Sequence, residues 1–310
     1  MQQRIRAVGA LTAYFGIYGL ALLWLGRSAR FEAGESLAVL LIFGVGFSLA
    51  AWASAIGIKA PVVSVQAPRR EWSATLIYLA LFAVLFLGWG LSFLQTLVPA
   101  GRLQETVILI AKLITMVVLP AWLFQRLGYR WRDLVGAFSW RALLGNGQWR
   151  VLLVMAILLL GLQLTIGRGP TQLAALPEPV WFIVAVAPLA LLWMTLEAGL
   201  TEEFLFRALL QTRASAYLRS ETAAIVVMSV LFGLVHAPGY VLREAHLMEG
   251  MAGAPDALTA IAYSIVVVSP IGLMFGVLWA RTRNFWLLVL LHGWTDLLPN
   301  LAPFIKTWFS

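Results

Sequence analysis

The chain has 310 residues and a mean hydropathy of +0.88; 61% of its residues are hydrophobic, whereas soluble domains are about 45–50% apolar, so an ordinary soluble protein is excluded. The net charge of +8 does not indicate nucleic-acid binding, because the basic residues lie between apolar runs and form no stripe interleaved with aromatic residues. The absence of cysteine excludes disulfides, thiolate metal sites and a cysteine nucleophile.

Apolar runs of about 20 residues, the length that a helix needs to cross about 30 Å of hydrocarbon, follow one another along the chain. We predict spans at residues 7–26, 36–58, 74–98, 106–124, 149–167, 179–217, 222–237, 257–280 and 285–300. The predicted fold class is all-α, a polytopic transmembrane helical bundle of about eight or nine spans.

Two of these regions need comment. The connection 125–148 carries Trp and Arg at helical spacing, which is typical of an amphipathic helix at the membrane interface. The run 179–217 is too long for one straight span, so we expect a kink at Pro188 or Gly199, or a helix that projects beyond the membrane. We predict N-terminal transmembrane helices with this interfacial segment over 1–148 and a C-terminal transmembrane core over 149–310.

The basic residues also predict an orientation. With nine crossings and the N-terminus inside, fifteen Lys and Arg fall in inside segments and six in outside segments. Cytoplasmic loops carry the excess of positive charge, so the N-terminus is predicted to be cytoplasmic.

A small set of ionisable residues interrupts the apolar runs. A charged side chain at the bilayer centre costs at least about 2.5 kcal/mol, so such residues usually face the protein interior and mark a functional path. The alternative is a structural ion pair, which fits Lys112 better than the set as a whole. The set comprises Lys112, Glu197, Glu202, Glu203, Arg207, His236, His292 and Asp296.

Their spacing suggests a division of roles. Glu203 and Arg207 are four residues apart with the acid first, the preferred order for a helical ion pair, whereas Glu202 points about 100° away. His292 and Asp296 share a helix face, so Asp296 could hold one imidazole nitrogen. If the chain turns near residues 218–221, Glu202 and His236 each lie about 23 Å from that turn, and His292 is within reach of the same level.

Three motifs in this order, "EEFLFR" (202–207), "FGLVH" (232–236) and "HGWTD" (292–296), resemble the CPBP family of intramembrane endopeptidases. This is the CAAX protease and bacteriocin-processing, or Abi, family, and it includes the Ras-converting CAAX prenyl protease. The resemblance covers about residues 179–300 and does not extend to the first 150 residues.

The resemblance implies hydrolysis of a peptide bond inside the membrane by a water molecule that a glutamate activates. It assigns Glu202 as general base and His236 as a residue that holds the water. His292 and Asp296 would stabilise the oxyanion, although an ionised aspartate cannot donate and would then only orient His292. Arg207 and Glu203 would support these groups.

The resemblance leaves the cofactor open between two readings. We expect no cofactor, because the compact zinc motif with two histidines on one helix is absent from the sequence. Zinc is the alternative, with Glu202, His236 and His292 as ligands, because two imidazoles and a carboxylate are a known hydrolytic zinc set.

Two other function classes compete with this hypothesis. The first is a non-enzymatic membrane scaffold or bacteriocin-immunity protein. The second is a proton-coupled carrier, which the absence of an internal sequence repeat disfavours. The expected partners are the lipid bilayer and a membrane-embedded or lipidated protein or peptide substrate, and the expected location is a prokaryotic cytoplasmic membrane. His246 matches no motif and is predicted to be a loop residue.

Overall fold

The computed structural model describes residues 1–27, 31–61, 63, 65–136, 139–242 and 255–309. Over these residues the chain forms helices and no strand, which confirms the all-α class. In chain order the helices are α1 (Gln2–Leu25), α2 (Ala33–Ser54), α3 (Pro68–Leu97), α4 (Arg102–Arg126), α5 (Trp131–Val135), α6 (Trp140–Leu144), α7 (Gln148–Thr165), α8 (Gly169–Ala174), α9 (Val180–Leu218), α10 (Glu221–Leu242), α11 (Ala257–Thr282) and α12 (Phe285–Phe309).

Eight of the helices within the described residues are long and apolar enough to cross a membrane. They are the helices other than α5, α6, α8 and α12, and they make the chain a multi-pass membrane protein, as predicted. The ninth predicted span, 285–300, lies in α12, which is long enough but carries several polar side chains and is not among the eight. His246 lies outside the described residues.

Helix α9 shows how the long run 179–217 is accommodated. It is a single helix of 39 residues, about 58 Å long, with Pro188 inside it. Its hydrogen bonding widens to the π pattern at Thr195–Leu200 and again at Glu203–Gln211. Short π segments inside α-helices are often found at functional sites; here Glu202 lies between the two segments and Glu203 begins the second.

The connection predicted to form one amphipathic helix forms two short helices instead, α5 and α6. Helix α5 ends at Gly136, whose φ of 73° is a backbone conformation that a glycine adopts without steric cost. Ser139 then caps α6, because its hydroxyl accepts a hydrogen bond from the Ala142 N–H. The segment is therefore divided into two helices, because Gly136 ends the first and Ser139 begins the second.

Residue contacts divide the chain into two compact units. Unit 1 comprises residues 1–53, 60–93 and 206–283, and unit 2 comprises residues 54–59, 94–205 and 284–310. Both predicted segments, 1–148 and 149–310, contribute to each unit, and the predicted division at residue 148 stays a prediction.

Unit 1 holds a fully buried ion pair between helices α3 and α9. Arg213 Nε lies 3.3 Å from Glu71 Oε2, and Arg213 Nη1 donates to the Ala208 carbonyl oxygen at 2.8 Å. Glu71 Oε1 accepts from the Ala67 N–H at the start of α3. Arg213, which the orientation count places in a loop, is therefore a buried helical residue.

Unit 2 is built on the packing of the first part of α9 against α12. The buried core between them contains Val186 and Ala190 from α9 and Leu297, Leu301 and Ile305 from α12. This apolar contact fixes the faces of the two helices that carry the glutamates and His292.

Candidate functional site

Glycine residues let α9 and α12 approach closely in unit 2. A Cβ added to Gly293 would lie 2.8 Å from both the Cα and the backbone nitrogen of Thr195, and one added to Gly199 would clash with the Val289 carbonyl oxygen. Real Cβ atoms do not approach backbone so closely, so only glycine allows this helix spacing at both positions. The close approach brings the next turn of α9, with its two glutamates, beside His292.

His292 lies at the centre of the charged cluster in unit 2. Its Nδ1 is 2.7 Å from Glu203 Oε1, which is a short hydrogen bond. Its Nε2 is 3.6 Å from both Glu202 Oε2 and Asp296 Oδ2. Because an ionised carboxylate only accepts, Glu203 holds the proton on Nδ1 and leaves Nε2 directed toward the other two acids.

The four side chains differ in access to the exterior of the chain. Glu203 is completely enclosed and His292 is 8% exposed, whereas Glu202 is 15% and Asp296 is 30% exposed. The enclosed carboxylate thus holds the imidazole, and the partly exposed carboxylates lie where water or a substrate could reach them.

Aromatic rings pack around the residue that follows the glutamates. Trp131 of α5 stacks on Phe204 with centroids 5.1 Å apart, and Phe285 meets Phe204 edge-on at 6.3 Å. Phe204 itself is fully buried. Trp131, at the start of α5, therefore supports the turn of α9 that carries Glu202 and Glu203, and no pattern in the sequence predicts this contact.

A second charged pair lies one turn before the glutamates. Lys112 of α4 donates to Glu197 Oε1 of α9, and both side chains are about one fifth exposed. The sequence marks both residues as charges inside apolar runs, but their separation of 85 positions gives no indication that they pair. The pair links α4 to the helix that carries the glutamates.

Breaking this pair should destabilise the protein. We expect Lys112→Met and Glu197→Gln each to lower the free energy of unfolding by about 2 kcal/mol, because each removes the charge-assisted hydrogen bond between α4 and α9. The double variant should lose less than the sum of the two, which thermal unfolding in detergent would measure as a double-mutant cycle. Lys306→Met, at an exposed position in α12, is the control. Additive losses would contradict the pairing.

Arg207 and His236 lie in unit 1, where Phe232 contacts both. The Arg207 guanidinium is 4.8 Å from the centroid of the Phe232 ring and 5.9 Å from that of Phe275, within range of cation–π attraction. The His236 ring meets the Phe232 ring edge-on at 4.9 Å.

His236 lies at a break in α10, at the end of its first stretch, Glu221–Leu234. Its backbone N–H bonds to the Gly233 carbonyl, so the Phe232 carbonyl oxygen is left to accept a 2.7 Å hydrogen bond from the His236 ring at Nδ1. A carbonyl only accepts, so Nδ1 carries the proton and Nε2 is the nitrogen available for other partners.

Unit 2 thus brings together Glu202, Glu203, His292 and Asp296. Glu203, rather than Asp296, makes the hydrogen bond to His292. Asp296 lies one turn along the same helix, and its Oδ2 is 3.6 Å from His292 Nε2, which is too far for a hydrogen bond. The pairing of Glu203 with Arg207 and the convergence of His236 with these groups stay predictions.

The donor set of unit 2 bears on the zinc alternative. Among the residues that the structure describes, no three His, Asp or Glu side chains are arranged as a metal site. His292 directs Nδ1 to Glu203 and only Nε2 toward Glu202, so it offers one nitrogen to any ligand. The expected absence of a cofactor stays a prediction, with zinc as its alternative.

Comparison with known proteins agrees with the motifs. No curated protein and no solved structure shows significant similarity to the chain. Residues 179–298 match the family model described as type II CAAX prenyl endopeptidase Rce1-like, and this segment contains all six candidate site residues. The resemblance to the CAAX protease family that the three motifs predict is therefore confirmed over residues 179–298.

Proposed function

We propose that the protein is an intramembrane endopeptidase that cleaves a membrane-embedded or lipidated protein or peptide. The family match over residues 179–298 supports this reaction class. The observation that carries the proposal is the hydrogen bond from His292 Nδ1 to the enclosed Glu203, which leaves Nε2 beside the partly exposed Glu202. A fixed imidazole beside an accessible carboxylate is an arrangement suited to hydrolysis.

In this proposal Glu202 is the general base. It takes a proton from a water molecule while the water oxygen forms a bond to the scissile carbonyl carbon, and the carbonyl oxygen gains the negative charge. Glu202 then returns the proton to the leaving nitrogen as the carbon–nitrogen bond breaks. General base catalysis of this kind contributes about 10²–10⁴-fold to the rate.

The two histidines and the remaining groups have supporting roles in the proposal. His292, as the imidazolium with a proton on each ring nitrogen, keeps its Nδ1–H on Glu203 and donates from Nε2 to the oxyanion. Donors fixed in advance in a water-poor site give a large stabilisation of the transition state. His236 accepts from the attacking water at Nε2. Glu203 orients His292, Asp296 adjusts its position, and Arg207 supports the surrounding helices.

The same proposal includes an orientation and a location. The excess of basic residues in alternate connections supports a cytoplasmic N-terminus. The proposed location is a prokaryotic cytoplasmic membrane. The count of inside residues includes Arg207 and Arg213, which are buried residues of α9. The inside segments keep the excess of basic residues without these two, so the predicted orientation is unchanged.

The proposal is tested by direct assay of the full chain in proteoliposomes. We expect it to cleave a peptide that ends in a prenylated CAAX sequence, and to cleave the unmodified peptide much more slowly, because a lipid anchor concentrates the substrate in the bilayer. Mass spectrometry of the products identifies the cut bond. If neither peptide is cut, comparison of membrane peptides from cells with wild-type chain and with Glu202→Ala is the wider search, and identical peptide sets would refute the proposal.

A chelator added to the same assay tests the absence of a metal. We expect unchanged cleavage after incubation with a tight zinc chelator, because the proposed base and donors all belong to the chain. Activity that disappears with the chelator and returns with zinc would instead support the ligand set Glu202, His236 and His292.

A further inference from the structure

Unit 1 contains a cavity of about 680 Å³ among helices α1, α2, α10 and α11. Most of its lining is apolar, including Leu11, Phe15, Leu40, Val45 and Leu273. All of these residues lie in helices that are candidate membrane spans. The cavity therefore has the lining expected of a site for an acyl chain.

Polar side chains line the cavity where its helices end. Glu221 begins α10, Arg281 precedes the last residue of α11, and Trp52 lies two residues before the end of α2. The close contact of Gly276 with Ile225 sets the register of α10 against α11 and places Glu221 and Arg281 at one level. Ends of membrane-spanning helices lie at the depth of lipid headgroups.

Each of these two charged side chains keeps one buried atom that has no hydrogen-bond partner. Glu221 Oε2 accepts from Arg283 Nη2 and from Ser215 Oγ, each at 2.6 Å, while its Oε1 has no partner in the described part of the chain. Arg281 Nε is likewise buried without a partner, and its guanidinium lies 5.9 Å from the centroid of the Trp52 ring. Both residues line the same cavity, and each therefore keeps unused hydrogen-bonding capacity beside it: one acceptor on Glu221 and one donor on Arg281.

We propose that this cavity binds a phospholipid of the surrounding bilayer with an ethanolamine headgroup. Arg281 donates to the phosphate, and Glu221 Oε1 accepts from the ammonium. The apolar walls enclose the part of one acyl chain that lies next to the headgroup. The cavity extends along α11 from Arg281 to Leu273, a length of about 12 Å, which is long enough to hold that part of the acyl chain. A choline headgroup cannot donate to Glu221, and a glycerol headgroup brings no ammonium. The site does not depend on the proposed protease activity.

Native mass spectrometry of the full chain in detergent tests this site with three lipids of identical acyl chains. We expect phosphatidylethanolamine to bind about tenfold more tightly than phosphatidylcholine or phosphatidylglycerol, the effect of one charge-assisted hydrogen bond. This comparison uses the wild-type chain and needs no variant. Equal affinity for the three lipids would overturn the proposal.

Two variants assign the contacts, and a third is the control. Arg281→Gln should weaken phosphatidylethanolamine binding about tenfold, and Glu221→Gln should remove the preference over phosphatidylcholine. Arg126→Gln is matched, because Arg126 also ends a helix and lies over a tryptophan, 5.1 Å from the Trp122 ring centroid, but does not line the cavity. It should bind as the wild type does. Wild-type binding by Arg281→Gln, with an unchanged unfolding temperature, would refute the site.

Discussion

Replacement of Glu202 by glutamine should reduce cleavage by about 10²–10⁴-fold, the range that a general base contributes, while the protein still folds. Glutamine keeps the shape of the side chain but cannot take a proton from water. Glu202 is partly exposed and lies 3.6 Å from His292 Nε2, beyond a direct hydrogen bond, so the fold does not depend on its charge. The measurement is the initial rate of peptide cleavage in proteoliposomes, with thermal unfolding of the same preparation.

The control for this variant is Glu35→Gln, an exposed glutamate in the first turn of α2. It should leave both the rate and the unfolding temperature unchanged. Cleavage by Glu202→Gln at the wild-type rate would show that another group activates the water, and the assignment of the base would fail.

Replacement of Gly293 by alanine should impair both stability and activity. The added methyl group would meet the backbone of Thr195 at 2.8 Å, so α12 must move away from α9. Overpacking of this kind costs about 1–3 kcal/mol. The same movement separates His292 from Glu203 and Glu202, and a displacement of about 1 Å can reduce a rate about 100-fold. Thermal unfolding in detergent and the peptide assay measure the two effects.

Gly161→Ala is the matched control, because Gly161 also lies inside a helix of unit 2 and no atom lies within 4 Å of its added Cβ. It should keep full activity and gain up to about 1 kcal/mol of stability from the better helix propensity of alanine. If Gly293→Ala retains wild-type activity, the close helix packing does not set the geometry of the site.

The helical architecture could be read from the sequence, because apolar runs of span length have a single low-cost structure in a bilayer. The contact of Glu203 with His292 could not be read from the sequence. Helical spacing predicts only its local pair with Arg207, and the packing of α9 on α12 is what brings Glu203 to His292, 89 positions away.

Other features depend on contacts that no local pattern encodes. Lys112 and Glu197 are 85 positions apart, and Glu71 and Arg213 are 142 apart. The π segments of α9 are a further case, because their i→i+5 hydrogen bonds shift the faces expected from a period of 3.6 residues. The close packing at Gly293 can be recognised only once Thr195 is seen opposite it.

The hydrogen bond within α10 affects how any substitution of His236 is interpreted. The His236 imidazole caps the end of that helix stretch: its Nδ1–H donates to the Phe232 carbonyl oxygen, because the His236 backbone N–H donates to Gly233 instead. His236→Ala therefore removes a structural cap together with any chemical role, and lost turnover alone could reflect local unwinding. Asparagine, whose side-chain amide can also donate to that oxygen, would separate the two contributions.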